Sequence, residues 1–244
     1  STLTKAVTRG LDDNVPLKDS GNDQLGCVPA HWKIAGFRRY LESIVDYRGR
    51  TPTKVAEGVP LLTARNIRKG YLDYEVSQEF IAYEDYSNVM ARGRVEVGDV
   101  LFTTEAPLGH VANADRGDIA LAQRVIKFRG RGGKLNNRFL KYYLLSRPMQ
   151  HELKNYASGT TAQGIEAERL SYLRQLIPPY DEQIAIADFL DITAARIIDN
   201  TSEIRKMIAL LRERRSALIS AAVTGQIDLG DWQPSKVTAP AEVA

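Results

Sequence analysis

From Glu182 to Val223 the chain runs for 42 residues without a proline or a glycine, and this stretch restricts its architecture more than any other. Alternate steps of three and four from Ala187 select Ala187, Leu190, Ala194, Ile197, Thr201, Ile204, Ile208, Leu211, Arg215, Leu218 and Ala222. All but Thr201 and Arg215 are apolar. A hydrophobic period of 3.5 keeps a seam on one helix face and predicts left-handed coiled-coil packing. A helix of this length extends about 60 Å, and a compact neighbour of similar mass cannot cover such a stripe. The seam residues Ala187, Leu190, Ala194, Ile197, Ile204, Ile208, Leu211 and Leu218 are therefore expected to pair with a partner helix. The competing reading is a long core helix folded back on its own domain.

The preceding residues have a different character. Residues 1–35 are rich in turn signals, such as Asp12-Asp13-Asn14 and Asp19-Ser20-Gly21-Asn22-Asp23, and read as an irregular leader ending near Pro29 and Trp32. Residues 36–180 carry short apolar runs broken by Gly, Pro, Asn and Asp: Val59–Thr63, Tyr71–Tyr74, Asp99–Thr104, Val111–Asn113 and Arg124–Phe128. Asn136 or Asn137 can cap a helix through Leu145, and Pro148 suits the first turn of another through Leu153. Glu166–Tyr172 suits a short helical turn, and Pro178-Pro179 ends the run. The expected fold is α+β, a mixed or antiparallel sheet domain with short helices, followed by a long coiled-coil helix over 181–228 and a flexible tail over 229–244. A short repeat relates Ala6-Val7-Thr8-Arg9-Gly10-Leu11-Asp12 to Ala222-Val223-Thr224-Gly225-Gln226-Ile227-Asp228. The first copy thus reads as the tail of another long helix.

Composition removes several function classes. One cysteine excludes a disulfide framework and a zinc ribbon, and three scattered histidines show no metal-ligand spacing. No phosphate-cradling Gly-Lys-Ser/Thr loop, nucleophile elbow or dinucleotide fingerprint is present. Ile177-Pro178-Pro179-Tyr180 resembles the [Asp/Asn]-Pro-Pro-Tyr site of adenine methyltransferases, but Ile177 cannot accept the hydrogen bond that site needs. No apolar run is long enough to span a membrane, and no signal-peptide centre is seen, so a cytoplasmic address is expected. Net charge is +3 overall but +6 over residues 1–180 and −3 over 181–244. Residues 120–154 hold nine cations against one acid, Glu152, and arginines outnumber lysines 22 to 11. The guanidinium fork suits phosphates and guanine edges, so nucleic acid is a candidate partner; a solvated basic face is the plainer alternative. No catalytic residue or metal site emerges.

Several motifs then coincide. Pro178-Pro179-x-Asp181-Glu182-Gln183-x-Ala185-Ile186-Ala187-x-Phe189-Leu190-Asp191, Leu211-x-Glu213-Arg214-Arg215-x-Ala217-Leu218-Ile219 and Ala222–Asp228 resemble the specificity subunits of type I restriction-modification enzymes. Gly21 through Trp32, Gly98-Asp99-Val100-Leu101-Phe102 and Ser158-Gly159-Thr160-Thr161-Ala162-Gln163-x-Ile165 extend the likeness to about Leu229. That family carries two target-recognition domains, each followed by a long helix; this chain looks like one such half, either a natural half-sized form or the C-terminal half of a longer subunit. The resemblance implies a non-catalytic subunit that reads double-stranded DNA as two short elements separated by a fixed spacer, with the helix as ruler. It implies methyltransferase subunits that hold S-adenosylmethionine and flip the target base, a restriction subunit, and pairing through the long helix with a second copy or a second recognition half.

Polar loops beside strands are the candidate DNA contacts. They are Arg48, Arg50, Thr51 and Lys54; Arg65, Asn66, Arg68 and Lys69; Thr104, Glu105 and His110; Gln123 and Arg124; and Ser158, Thr160 and Thr161. Arg65 and Asn66 suit two-point contacts to guanine and adenine edges, Glu105 suits a cytosine amino group, and the Ser158 segment suits a phosphate. Two other classes stay open: a stand-alone DNA-modifying enzyme, and a coiled-coil interaction protein whose basic patch is incidental.

Overall fold

The computed structural model describes residues 1–47, 52–157 and 164–226. In chain order it contains α1 (Thr2–Arg9), β1 (Leu17–Asp19), β2 (Cys27–Pro29), β3 (Lys33–Gly36), β4 (Leu41–Asp46), β5 (Lys54–Val55), β6 (Val59–Leu62), β7 (Phe80–Ile81), α2 (Tyr86–Val89), β8 (Val100–Thr103), β9 (Val111–Asn113), β10 (Ala120–Leu121), β11 (Val125–Gly130), α3 (Asn137–Leu145), α4 (Arg147–Tyr156), β12 (Arg174–Ile177) and α5 (Tyr180–Val223). Contacts divide the chain into two units, Ser1–Asp191 and Ile192–Ala244.

The first unit is organised by one antiparallel sheet, β4-β11-β8-β9. Side chains alternate along a strand, so one sheet can serve two interiors. Val100 and Phe102 of β8, Val111 of β9 and Ile126 and Phe128 of β11 enter a core shared with α1, α3, α4 and the start of α5. Their neighbours Leu101, Ala112 and Val125 face a second core, built with a four-stranded sheet of order β10-β6-β7-β5. Among the described strands only the β10–β6 pairing is parallel. Two-stranded pairings β1–β2 and β12–β3 complete the fold.

Local signals explain the helices. Asn136 caps α3, its side-chain oxygen accepting from the Arg138 and Phe139 amides, and Pro148 sits in the first turn of α4. Residues 1–35 are less irregular than their turn content predicts: Ala6, Val7, Leu25, Val28 and Trp32 are buried in the first core. Tyr71–Tyr74, expected as a strand, forms only the Ile67–Leu72 bridge. Asn66 bends this segment into a turn, as described below. Thr8 and Thr224, which correspond in the short repeat, each donate a hydroxyl hydrogen bond to the carbonyl four residues back. The two copies therefore end their helices with the same local device.

The root of α5 is fastened within the first unit. Gln183 is fully buried; its amide donates to the carbonyls of Lys134 and Pro178 and accepts from the Asn136 N–H. The Glu182 carboxylate accepts from Trp32 Nε1 at 3.1 Å and lies 2.9 Å from His31 Nε2. Gly10, at φ 80°, fits beneath it, since an added Cβ would come within 3.0 Å of Glu182 Oε1. Arg138 reaches Asp188 and Asp191 at 2.6 and 2.7 Å, and Asp191 also accepts from Lys141 and Tyr142.

This rooting corrects one expectation. Ala187 and Leu190 belong to the seam by spacing, yet both are buried inside the first unit, Leu190 in its core beside Ile186. They face their own domain because the first turns of α5 pack beneath α3. In the second unit the remaining seam residues Ile197, Ile204, Ile208, Leu211 and Leu218 are 45–60% exposed, and Ala194 is half-buried.

Candidate nucleic-acid interface

Two loops of the first unit carry most of the predicted contact residues that the structure describes. The first runs from Thr63 to Ser77 and is organised around Asn66. That side chain is 1% exposed. Its oxygen accepts from the Thr63 N–H and hydroxyl, each at 2.9 Å, and its amide donates to the carbonyls of Asp73 and Ser77. With these bonds made, Asn66 cannot read a base; it is the internal strut of the loop, which overturns its expected role. A short polar residue placed in a turn mimics backbone hydrogen bonding.

Asn66 sets its neighbours outward. Arg65 and Lys69 are exposed, and neither forms an ion pair among the described residues. Arg68 lies 3.5 Å from Asp73. Lys54 pairs with Glu79 at 2.7 Å on the neighbouring β5–β7 edge. His110 is half-buried, with Nδ1 3.0 Å from the Ile67 carbonyl. A carbonyl only accepts, so Nδ1 carries the proton. Burial lowers the imidazole pKa against the pull of that hydrogen bond, and the charges of Lys69 and Arg68 lower it further. His110 is thus a neutral group in a cationic neighbourhood.

The second loop pair lies at the shared end of β8 and β11. Thr104 is 3% exposed, and its amide donates to the Arg124 carbonyl. It holds the two loops together and is not available to a ligand, contrary to expectation. Arg124 has φ 69°, a conformation uncommon for a residue with a side chain. Its guanidinium meets Glu105 at 2.6 Å, with both side chains partly exposed. Glu105 and Arg124, chosen separately from the sequence, thus form one ion pair. Gln123 lines a cleft of about 410 Å³ together with Tyr47, Thr53, Asn88 and Arg92. Arg92, whose guanidinium donates to the Asp46 carbonyl at 2.8 Å, and Asn88 were not singled out from the sequence. The Arg92-Gly93-Arg94 run is the only local signal that marks this segment. Arg48, Arg50, Thr51, Ser158, Thr160 and Thr161 lie outside the described residues.

The basic run over 120–154 is not one open cationic face. Arg124 pairs with Glu105, Arg138 and Lys141 with the acids of α5, and Lys127 and Arg129 with Asp99. Lys127 and Asp99 are nearly inaccessible, at 3% and 1%. Burial alone would raise the Asp99 carboxyl. The hydrogen bonds from Arg129 and the Glu96 N–H, with the charges of Lys127 and Arg129, outweigh it and hold the carboxyl below its ordinary range. Arg131, Lys134, Arg147 and Lys154 of the run stay exposed with no ion pair among the described residues, so free cationic reach is shared between them and Arg65 and Lys69 of the Thr63–Ser77 loop. Among the described residues no group of three or more His, Cys, Asp or Glu is placed to hold a metal ion, and no helix is long and apolar enough to cross a membrane.

Comparison with known proteins places this arrangement. The chain is 27% identical over 237 residues to the type I restriction enzyme MjaVIII specificity subunit of Methanocaldococcus jannaschii, covering 92% of this chain and 52% of that one. The fold resembles a solved chain from work on complex assembly and conformational transition of the type I R-M system, with a TM-score of 0.61 at 20% identity, covering 84% of this chain and 48% of that one. It also resembles the HsdS subunit of Thermoanaerobacter tengcongensis, with a TM-score of 0.52 at 18% identity, covering 81% and 43%. The chain spans about half the length of these relatives. Residues 47–209, from the end of β4 through the sheets and well into α5, match the family described as the type I restriction modification DNA specificity domain, and the chain belongs to that family.

Proposed function

We propose that this chain is a DNA-recognition half of a type I restriction-modification specificity subunit, without catalysis of its own. The observation that carries the reading is the continuous family match over residues 47–209, which joins the loop-bearing sheets to the long helix. The first unit reads one short element of double-stranded DNA. The exposed seam Ile197–Leu218 of the second unit supports pairing with an equivalent helix, from a second copy or a second recognition half. Two recognition domains held by rigid helices would read a bipartite target with a fixed spacer. Methyltransferase subunits, holding S-adenosylmethionine, and restriction subunits would act where this chain places them, in the cytoplasm.

The test is selection of a random duplex library by the chain assembled with its methyltransferase subunit. The expected product is two short conserved elements at one constant separation, with affinity falling steeply as salt rises. Enrichment of a single contiguous element, or of variable separations, refutes the ruler; no enrichment refutes DNA recognition.

A further inference from the structure

We infer that Tyr71 and Lys69 form a DNA-contact point, the ring packing on a deoxyribose and the ammonium on the adjoining phosphate; this rests on the DNA-recognition reading above. The Tyr71 side chain is 58% exposed, and the turn beneath it is heavily braced. The Arg68 N–H donates to the Tyr71 carbonyl at 2.9 Å, and the Gly70 N–H donates to the Val111 carbonyl of β9 at 2.8 Å. Bridges join Ile67 to Leu72 and Lys69 to Val111, and Asn66 ties the far side of the loop to Asp73 and Ser77. Ordering a loop costs backbone entropy. A turn braced this way holds its tip side chains in fixed positions, and here those tips are an aromatic ring and an ammonium with no ion pair among the described residues.

The surroundings select the ligand. Other tyrosines are engaged within the protein: Tyr172 stacks on Tyr156, Tyr74 bonds Asp115 and Tyr86 bonds the Gly117 carbonyl. Tyr83 is also exposed, but it is followed by Glu84 and Asp85, which repel a phosphate backbone. Tyr71 sits on the same loop as Arg65, whose guanidinium also donates to the Val76 carbonyl, Arg68 and Lys69. The loop's acids are Asp73, which Arg68 already meets, and Glu75, which accepts from Gln78. A ring among cations suits a duplex backbone, the ring packing on the sugar while the cations draw the phosphates.

The experiment uses the complex with its methyltransferase subunit and a fluorescein-labelled duplex carrying the selected target, with a scrambled duplex of equal length beside it. Tyr71→Ala is expected to weaken target binding about tenfold at unchanged melting temperature. Tyr71→Phe should retain it, Tyr83→Ala should not affect it, and Lys69→Ala should lower the salt slope by about one. In Tyr71→Trp, the added indole fluorescence should be quenched by target DNA. Wild-type affinity in Tyr71→Ala, together with unquenched Tyr71→Trp, overturns the contact while leaving DNA recognition intact. A wild-type complex that does not distinguish target from scrambled duplex overturns both.

Discussion

Asp99 makes the sharpest energetic claim in this fold. It precedes β8 and receives two hydrogen bonds from Arg129 of β11, Nε to Oδ1 at 2.6 Å and Nη2 to Oδ2 at 2.8 Å. A third comes from the Glu96 N–H at 2.8 Å, and Lys127 Nζ stands 3.2 Å away. In Asp99→Asn the Lys127 ammonium remains 3% exposed without a counter-charge. Breaking a buried pair from one side costs about 3–5 kcal/mol, which for a unit of this size lowers the melting temperature by about 10 °C. Lys127→Met is expected to cost much less, about 1–2 kcal/mol. It removes a charge that also needs the Arg94 carbonyl as acceptor, and leaves Asp99 with its Arg129 fork. The double variant should therefore be more stable than Asp99→Asn alone. The pH dependence follows from the depressed carboxyl. Its contribution is complete above about pH 4 and is lost as pH falls through the lowered native value, so wild type and Asp99→Asn should converge in acid. Denaturant melts of the four proteins at neutral and acid pH decide the matter. Asp99→Asn within about 1 kcal/mol of wild type, or a double variant no better than Asp99→Asn, would refute the reasoning.

Two further outcomes are expected. Asn66→Ala leaves the part-buried carbonyls of Asp73 and Ser77 without their donor and should cost about 1–3 kcal/mol; limited proteolysis should then cut within Thr63–Ser77 first, and protection equal to wild type would count against the strut. Glu105→Gln frees Arg124 from its partly exposed ion pair. Stability should change by less than about 1 kcal/mol, while affinity for a scrambled duplex rises several-fold and discrimination falls; fluorescence anisotropy with unchanged scrambled binding would contradict this.

The long helix was legible because its signal is local and repeated: proline and glycine are missing and the apolar period persists. The cap at Asn136 and the Pro148 start were legible for the same reason, since each acts within a turn of its own position. What failed was any inference that depended on the identity of the partner surface. Spacing cannot tell Leu190 on a helix seam from Leu190 in the core beneath it, because both want the same residue. Asn66 and Thr104 carry the chemistry of base and phosphate contacts, and tertiary bonds to Asp73, Ser77 and Arg124 consume it. The charge count over 120–154 misled in part: Arg124, Lys127, Arg129, Arg138 and Lys141 meet acids at Asp99, Glu105, Asp188 and Asp191, most of them far away in sequence, while Arg131, Lys134, Arg147 and Lys154 stay exposed. Tyr71 gave no signal, since an exposed and an engaged tyrosine look alike on the page.

The central sheet also separates two interiors. One of its faces contributes to the interior that grips the root of α5, and the other to the interior that supports the Thr63–Ser77 loop. Substitutions that reshape the loop-bearing side are absorbed by Leu101, Ala112 and Val125 and their neighbours, with β4-β11-β8-β9 standing between them and the helix anchor. On the DNA-recognition reading proposed above, the loop-bearing interior can change while the other, which holds the root of α5, stays as it was. On that reading the partition keeps target choice apart from the seating of the long helix within one unit.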